Sequence, residues 1–144
     1  MRVVLLCVGK LGARYRAPAD DYLRRLRSHL TIEEVEVREV GLEGEADRLE
    51  ARVPAGAFVV ALDRTGRQFS SEALAQHLDR WRVAARPVAC LLGGSHGLHQ
   101  RLLGAASLRW SLGLLTLPHE LARVVVLEQL YRAGTILRGE PYHK

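Results

Sequence analysis

Residues 87–98, PVACLLGGSHGL, decide the fold class. Val88 to Leu92 form an apolar run with no polar break, closed by a pair of glycines. A run of that length with turn residues behind it reads as a strand rather than a helical segment. A half-buried strand would alternate apolar and polar side chains. This one is apolar on both faces, so helices must cover it on both sides, as in a parallel sheet. Beyond GGSHG, a helix is expected to begin near Leu98.

The same alternation of strand and helix extends outward in both directions. Upstream, Ser70 or Ser71 caps a helix that puts Leu74, Leu78 and Trp81 on one side. Before it, AFVVAL (57–62) reads as a strand closed by the turn residues of DRTGRQ (63–68). EGEADRLEAR (43–52) reads as a polar helix, and IEEVEVREV (32–40) as an alternating, half-buried strand. Tyr15 to Leu30 lines up Ala19, Tyr22, Leu23, Leu26 and Leu30 on one helical stripe, and Val3 to Val8 is a further buried strand. Downstream come a short strand in SLRWSL (107–112) and an apolar loop, GLLTLP (113–118). A long helix then runs from His119 to about Leu137, whose apolar residues form no single stripe and so predict burial on two sides. The expectation is one α/β domain spanning 1–144, with a mainly parallel sheet flanked by helices. Ligands in such folds sit at the carboxyl ends of strands, which points to the loops after Leu62, Leu92 and Leu112.

Composition narrows the class of function. The 144 residues are 48% hydrophobic and 26% charged, ordinary for a globular chain. The apolar start is too short for a signal peptide, and no run is long enough to span a bilayer. Cys7 and Cys90 lie inside apolar runs and read as buried thiols of a reducing compartment, so a cytoplasmic location is expected. The net charge is +5, carried almost wholly by arginine, since Lys10 and Lys144 are the only lysines. An isoelectric point near 9.8 favours an anionic partner, nucleic acid first; a solvated basic surface is the plain alternative.

Several motifs compete. Gly93 to Gly97 matches G-x-S-x-G, which would make Ser95 the nucleophile of a serine hydrolase. No aspartate follows Ser95, so Glu120, Glu128 or Glu140 would have to orient His143. A tight glycine turn explains the same residues. HELAR at His119 begins like a zinc site but has Arg123 at the second histidine position, and no metal is expected. His119 reads as a capping or loop residue, and His29 and His77 as surface residues. GLLTLP is apolar where a loop is expected. It is either a buried crossover or a slot for a flat apolar ligand held by main-chain groups, which suits an adenosyl cofactor.

Taken together, YLRRL (22–26), ALDRTGRQFSSEALA (61–75), LLGGSHGL (91–98) and WSLGLLTLPHELARVVVLEQLYRAGTILRGEPYHK (110–144) resemble the family of ribosomal RNA large subunit methyltransferase H. The likeness is dense from about Phe58 onward and loose over 31–57. It implies a SPOUT-type fold with a C-terminal trefoil knot, a homodimer, and S-adenosylmethionine as methyl donor without a metal. The implied activity is methylation of N3 of pseudouridine 1915 in helix 69 of 23S rRNA, on the large subunit or the assembled 70S ribosome. By motif position, Leu62, Gly93, Leu112, Gly113, Leu114, Leu115, Thr116 and Leu117 are implied cofactor-binding residues. Tyr142, His143 and Lys144 match the family's C-terminal signature and are implied at the target nucleotide.

The implied reaction sets requirements on this chain. Positive charge leaves sulfur as negative charge leaves an imide nitrogen, so a dry pocket with fixed dipoles favours the transition state. The imide proton needs a base, and His143 is the candidate, an unperturbed imidazole having a pKa of about 6.5. Lys144 is the candidate for holding a phosphate or the developing anion, and Tyr142 for stacking on a base. Arg14, Arg16, Arg24, Arg25 and Arg27 are candidate phosphate contacts. A noncatalytic RNA-binding or assembly factor would share the charge and the fold but would not bind the cofactor.

Overall fold

The computed structural model describes residues 1–143, with side chains through Tyr142. Its centre is a five-stranded parallel sheet in the order β2-β1-β4-β3-β5. The strands are β1 (Arg2–Val8), β2 (Thr31–Val37), β3 (Phe58–Arg67), β4 (Val88–Leu92) and β5 (Leu108–Trp110). The helices are α1 (Ala13–Leu26), α2 (Leu42–Arg52), α3 (Ser71–Ala84), α4 (Gln100–Ala105) and α5 (His119–Arg138), followed by a 3-10 turn at Pro141–His143.

The strand period of two sorts the core into two layers. Val3, Leu5, Cys7, Val88, Cys90 and Leu92 face α1, α3 and α5. Val4, Leu6, Val8, Ala89 and Leu91 face α2 and α4. All five residues of β4 are buried, which is why its sequence shows no alternation. Each buried leucine contributes roughly 1.5–3 kcal/mol by leaving water. α5 packs against both α1 and α3, and Val126, Leu127, Leu130 and Ala133 are buried along it. Burial on two sides is thus the reason it lacks a single stripe.

Five readings change. β3 does not stop at Leu62. It continues through DRTGR to Arg67 with a shift in register, so that Leu62 and Arg67 both pair with Trp110. Turn residues are tolerated there because the Asp63 carboxylate accepts from the Thr65 N–H (3.3 Å) and hydroxyl (3.1 Å), forming the irregularity inside the strand. Gly66 is required at that point, since a Cβ would lie 2.6 Å from the Arg109 carbonyl oxygen. β2 ends at Val37, and α1 ends at Leu26 rather than Leu30. α4 starts at Gln100, capped by His99 Nδ1, which accepts from the Arg101 N–H at 2.9 Å. Neither His29 nor His77 is a plain surface residue. The His29 side chain is only 4% exposed, wedged against Gly134 and the edge of Tyr131. His77 stacks between Phe69 and Trp81. Among the described residues, no helix is long and apolar enough to cross a membrane.

Candidate active site

The carboxyl ends of β3, β4 and β5 open onto one cleft of about 600 Å³, counting the space open to solvent. Each strand delivers a wall: Leu62, Asp63 and Arg64 from β3, Leu92 and the glycines after it from β4, Trp110 and the following loop from β5. The start of α5 closes the fourth side with His119 and Ala122.

The glycine turn after β4 is built against itself. A Cβ on Gly93 would lie 2.3 Å from the Gly97 main chain, and Gly97 has φ +74°. Only glycine permits that approach, so the turn stays flat and leaves the cleft open. Ser95 is exposed on this turn, its hydroxyl donating to Glu39 at 3.2 Å. The helix that follows begins five residues later, at Gln100. Ser95 therefore has neither the abrupt strand-to-helix turn nor the histidine contact of a hydrolase nucleophile.

The loop after β5 is held at its base. Ser111 is 3% exposed; its hydroxyl donates to the Arg64 carbonyl at 2.7 Å and accepts from the Gly113 N–H at 3.0 Å. The Ser111 N–H donates to the Arg67 carbonyl, and Arg64 donates to the Leu114 carbonyl at 3.2 Å. Beyond these ties, the N–H groups of Leu114, Leu115, Thr116 and Leu117 have no main-chain partner among the described residues. Of the eight residues singled out in the sequence, Leu62, Gly93, Leu112, Gly113, Leu115 and Leu117 line the cleft. Leu114 and Thr116 are exposed and are not among the residues that line it. Leu114 and Leu115 are 68% and 80% exposed, unusual for leucine.

Sequence reasoning missed Asp63, Arg64 and His119 as cleft residues, because each acquires its place only when three strand ends and a helix start converge. It also missed Arg123. That guanidinium is 2% exposed, yet it donates to Glu34 (2.9 Å), Glu36 (2.5 Å) and the Gly9 carbonyl (2.9 Å). Arg16 meets Glu34 at 2.7 Å from the other side, and the Leu11 N–H donates to Glu36. This buried network anchors the loop from Gly9 to Gly12, beside the cleft. Both thiols are set aside by burial, which pushes Cys7 and Cys90 up to about 12.

Tyr142 sits elsewhere. The Tyr142 hydroxyl donates to Glu128 at 2.7 Å, its ring meets the edge of Tyr131, and the Arg132 guanidinium lies 4.9 Å from its centroid. Burial first, then Tyr22 and Glu128, push its phenol well above the usual range, so it stays a proton donor. This seat makes the half-buried Tyr142 an anchor for the tail. Lys144 and the side chain of His143 lie outside the described residues.

In parallel α/β folds, a glycine-walled, apolar cleft at the carboxyl edge of the sheet is where a small ligand is held. The family model described as "Predicted SPOUT methyltransferase" matches residues 1–143, and the chain belongs to that family. Within it, the chain is 49% identical over 154 residues to ribosomal RNA large subunit methyltransferase H of Rubrobacter xylanophilus, covering 99% of this chain and 98% of that one. The protein of the same name from Sorangium cellulosum is 44% identical over 144 residues, with 99% of each chain covered. The chain is a member of this methyltransferase H family. A probable methylase family protein from Haemophilus influenzae Rd KW20 shares the fold, with a TM-score of 0.56 at 12% identity over 99% of this chain and 70% of that one.

The methyl donor of the class is S-adenosylmethionine. The cleft fits it: Leu92, Leu112 and Leu117 offer apolar walls for an adenine ring, and unpaired N–H groups of the loop offer hydrogen bonds to its polar edge. Among the described residues, no cluster of three or more histidine, cysteine or acidic side chains is placed to hold a metal.

Proposed function

We propose that this protein methylates N3 of a pseudouridine in 23S rRNA, position 1915 of helix 69, on the assembled ribosome, and that it does so as a homodimer. The observation that carries the reading is the apolar cleft with unpaired main-chain donors, in a chain that aligns end to end with large-subunit rRNA methyltransferases. S-adenosylmethionine, when bound, supplies an electrophilic methyl group on a sulfonium cation. The chain's own part is to hold that group dry and aimed, with Leu112, Leu115 and Leu117 excluding water. His143 takes the imide proton of the target base, and Lys144 holds a phosphate or the developing anion.

Helix length supports the dimer. His119, at the start of α5, lines the cleft, while Tyr142 is seated against Glu128 and Tyr131, further along the same helix. Nine residues of helix separate 119 from 128, about 13 Å at 1.5 Å per residue. Two residues beyond Tyr142 extend at most about 7 Å. A tail anchored in this way supports a site that a second copy completes. Threading of the C-terminal segment as a trefoil knot belongs to the same proposal.

The test is incubation with labelled S-adenosylmethionine and ribosomes from cells lacking the modification, followed by mapping of the labelled nucleotide. Label on N3 of the helix 69 pseudouridine is the expected result. Label on another nucleotide, or none, overturns the proposal.

A further inference from the structure

A second cleft adjoins the first, between the start of α1 and the start of α5. Its volume is about 770 Å³, again counting space open to solvent. The two share one side chain, His119, whose Nε2 would lie 4.0 Å from a Cβ on Gly9. We propose that this second cleft seats the target nucleotide of the RNA substrate, with His119 at the edge where nucleotide and methyl donor meet. The inference rests on the proposed reaction and adds the place where the acceptor binds.

The lining suits a uracil-type nucleotide group by group. Tyr15 is half-buried and offers an aromatic face, the usual support for an unstacked RNA base. Arg14 is exposed and has no ion-pair partner among the described residues. Other arginines of α1 are neutralised: Arg16 by Asp20 and Glu34, Arg24 and Arg25 by Asp21. A phosphate entering this cleft therefore meets a free guanidinium. Glu120 accepts the Gly12 N–H through Oε2 at 3.2 Å, while Oε1 carries no hydrogen bond among the described residues. A free carboxylate oxygen complements the N1–H that a pseudouridine ring presents, and so leaves N3 open to the base and the methyl group. The buried Arg123–Glu36 pair fixes the Gly9–Gly12 loop that forms the floor. Transfer requires the accepting nitrogen in direct contact with the donor's methyl group, and the two clefts meet at His119, where a base seated in the second comes up to the first.

The experiment compares the full-length wild type with Tyr15→Ala, Tyr15→Phe and Arg14→Ala. S-adenosylmethionine affinity, native mass, and KM and kcat on unmodified ribosomes are measured for each. The proposal expects unchanged cofactor affinity and mass, with KM for ribosomes raised about tenfold in Tyr15→Ala and Arg14→Ala and largely restored in Tyr15→Phe. Unchanged KM in both alanine variants overturns it. So does loss of dimer mass together with activity, which would show that the cleft receives a second copy's tail. A wild-type protein that labels no ribosome overturns the proposed reaction instead, before any variant is compared.

Discussion

At the residue scale, the most consequential side chain is Arg123, which a motif search passes over because it spoils a zinc pattern. Burying a guanidinium is tolerated only when its charge and donors are met. Here Glu34, Glu36 and the Gly9 carbonyl meet them. Arg123→Ala leaves two carboxylates close together with only Arg16 to offset them. The expected cost is about 3 kcal/mol in urea unfolding, near the low end for a broken buried pair because Arg16 remains. A change under about 1 kcal/mol would show that water replaces the guanidinium freely. Sequence could supply the residue and its place beside the apolar run Val124 to Leu127, but β2 supplies both acids, and nothing local links residues 34 and 123.

At the scale of elements, most boundaries were legible because burial and turn chemistry agree. Ser70 caps α3 by accepting the Ala73 N–H at 3.1 Å, and Leu74, Leu78 and Trp81 are buried as their spacing predicts. The ends of β2, α1 and α4 shift by a few residues, and β3 departs furthest. Its last five residues have turn chemistry, yet pairing with β5 keeps them in the sheet. The competing influence is an edge strand 40 residues away. α3 ends on Ala85 at φ 56°, the only described non-glycine residue in the left-handed region. A Cβ there costs roughly 1–2 kcal/mol. Ala85→Gly is therefore expected to stabilise the protein by about 1 kcal/mol, after the greater entropy of an unfolded glycine is subtracted. A thermal midpoint that stays level or falls would contradict this.

At the scale of the whole molecule, two predictions concern assembly and pH. If the tail of one copy serves the cleft of the other, an inactive His143→Ala protein mixed with an inactive Gly113→Val protein regains activity. Random pairing makes half the dimers mixed, each with one intact site, so about a quarter of wild-type activity is expected. No recovery after verified subunit exchange would place tail and cleft in the same chain. The pH prediction comes from His29 and His77, whose pKa values are lowered by burial first, then by Arg138 and Arg80 respectively. The unfolded chain, with histidines near 6.5, then binds more protons than the folded one. Their contribution is complete above about pH 6.5 and is lost as pH falls toward the lowered folded values. The thermal midpoint should drop between pH 7 and pH 5, and His29→Gln should flatten that slope.

The amino-acid sequence by itself determined the layer architecture, the order of elements and the identity of the loop around the cleft. Those depend on local pattern: runs apolar on both faces, a capping serine, glycines where main chain must pass close to main chain. Only the tertiary structure decided that Asp63, Arg64 and His119 share a wall of the cleft, that Arg123 is buried among acids, and that Tyr142 is anchored away from the cleft its own chain builds. Each of these joins residues far apart in sequence, and strand order and helix length, rather than local propensity, set the distance between them.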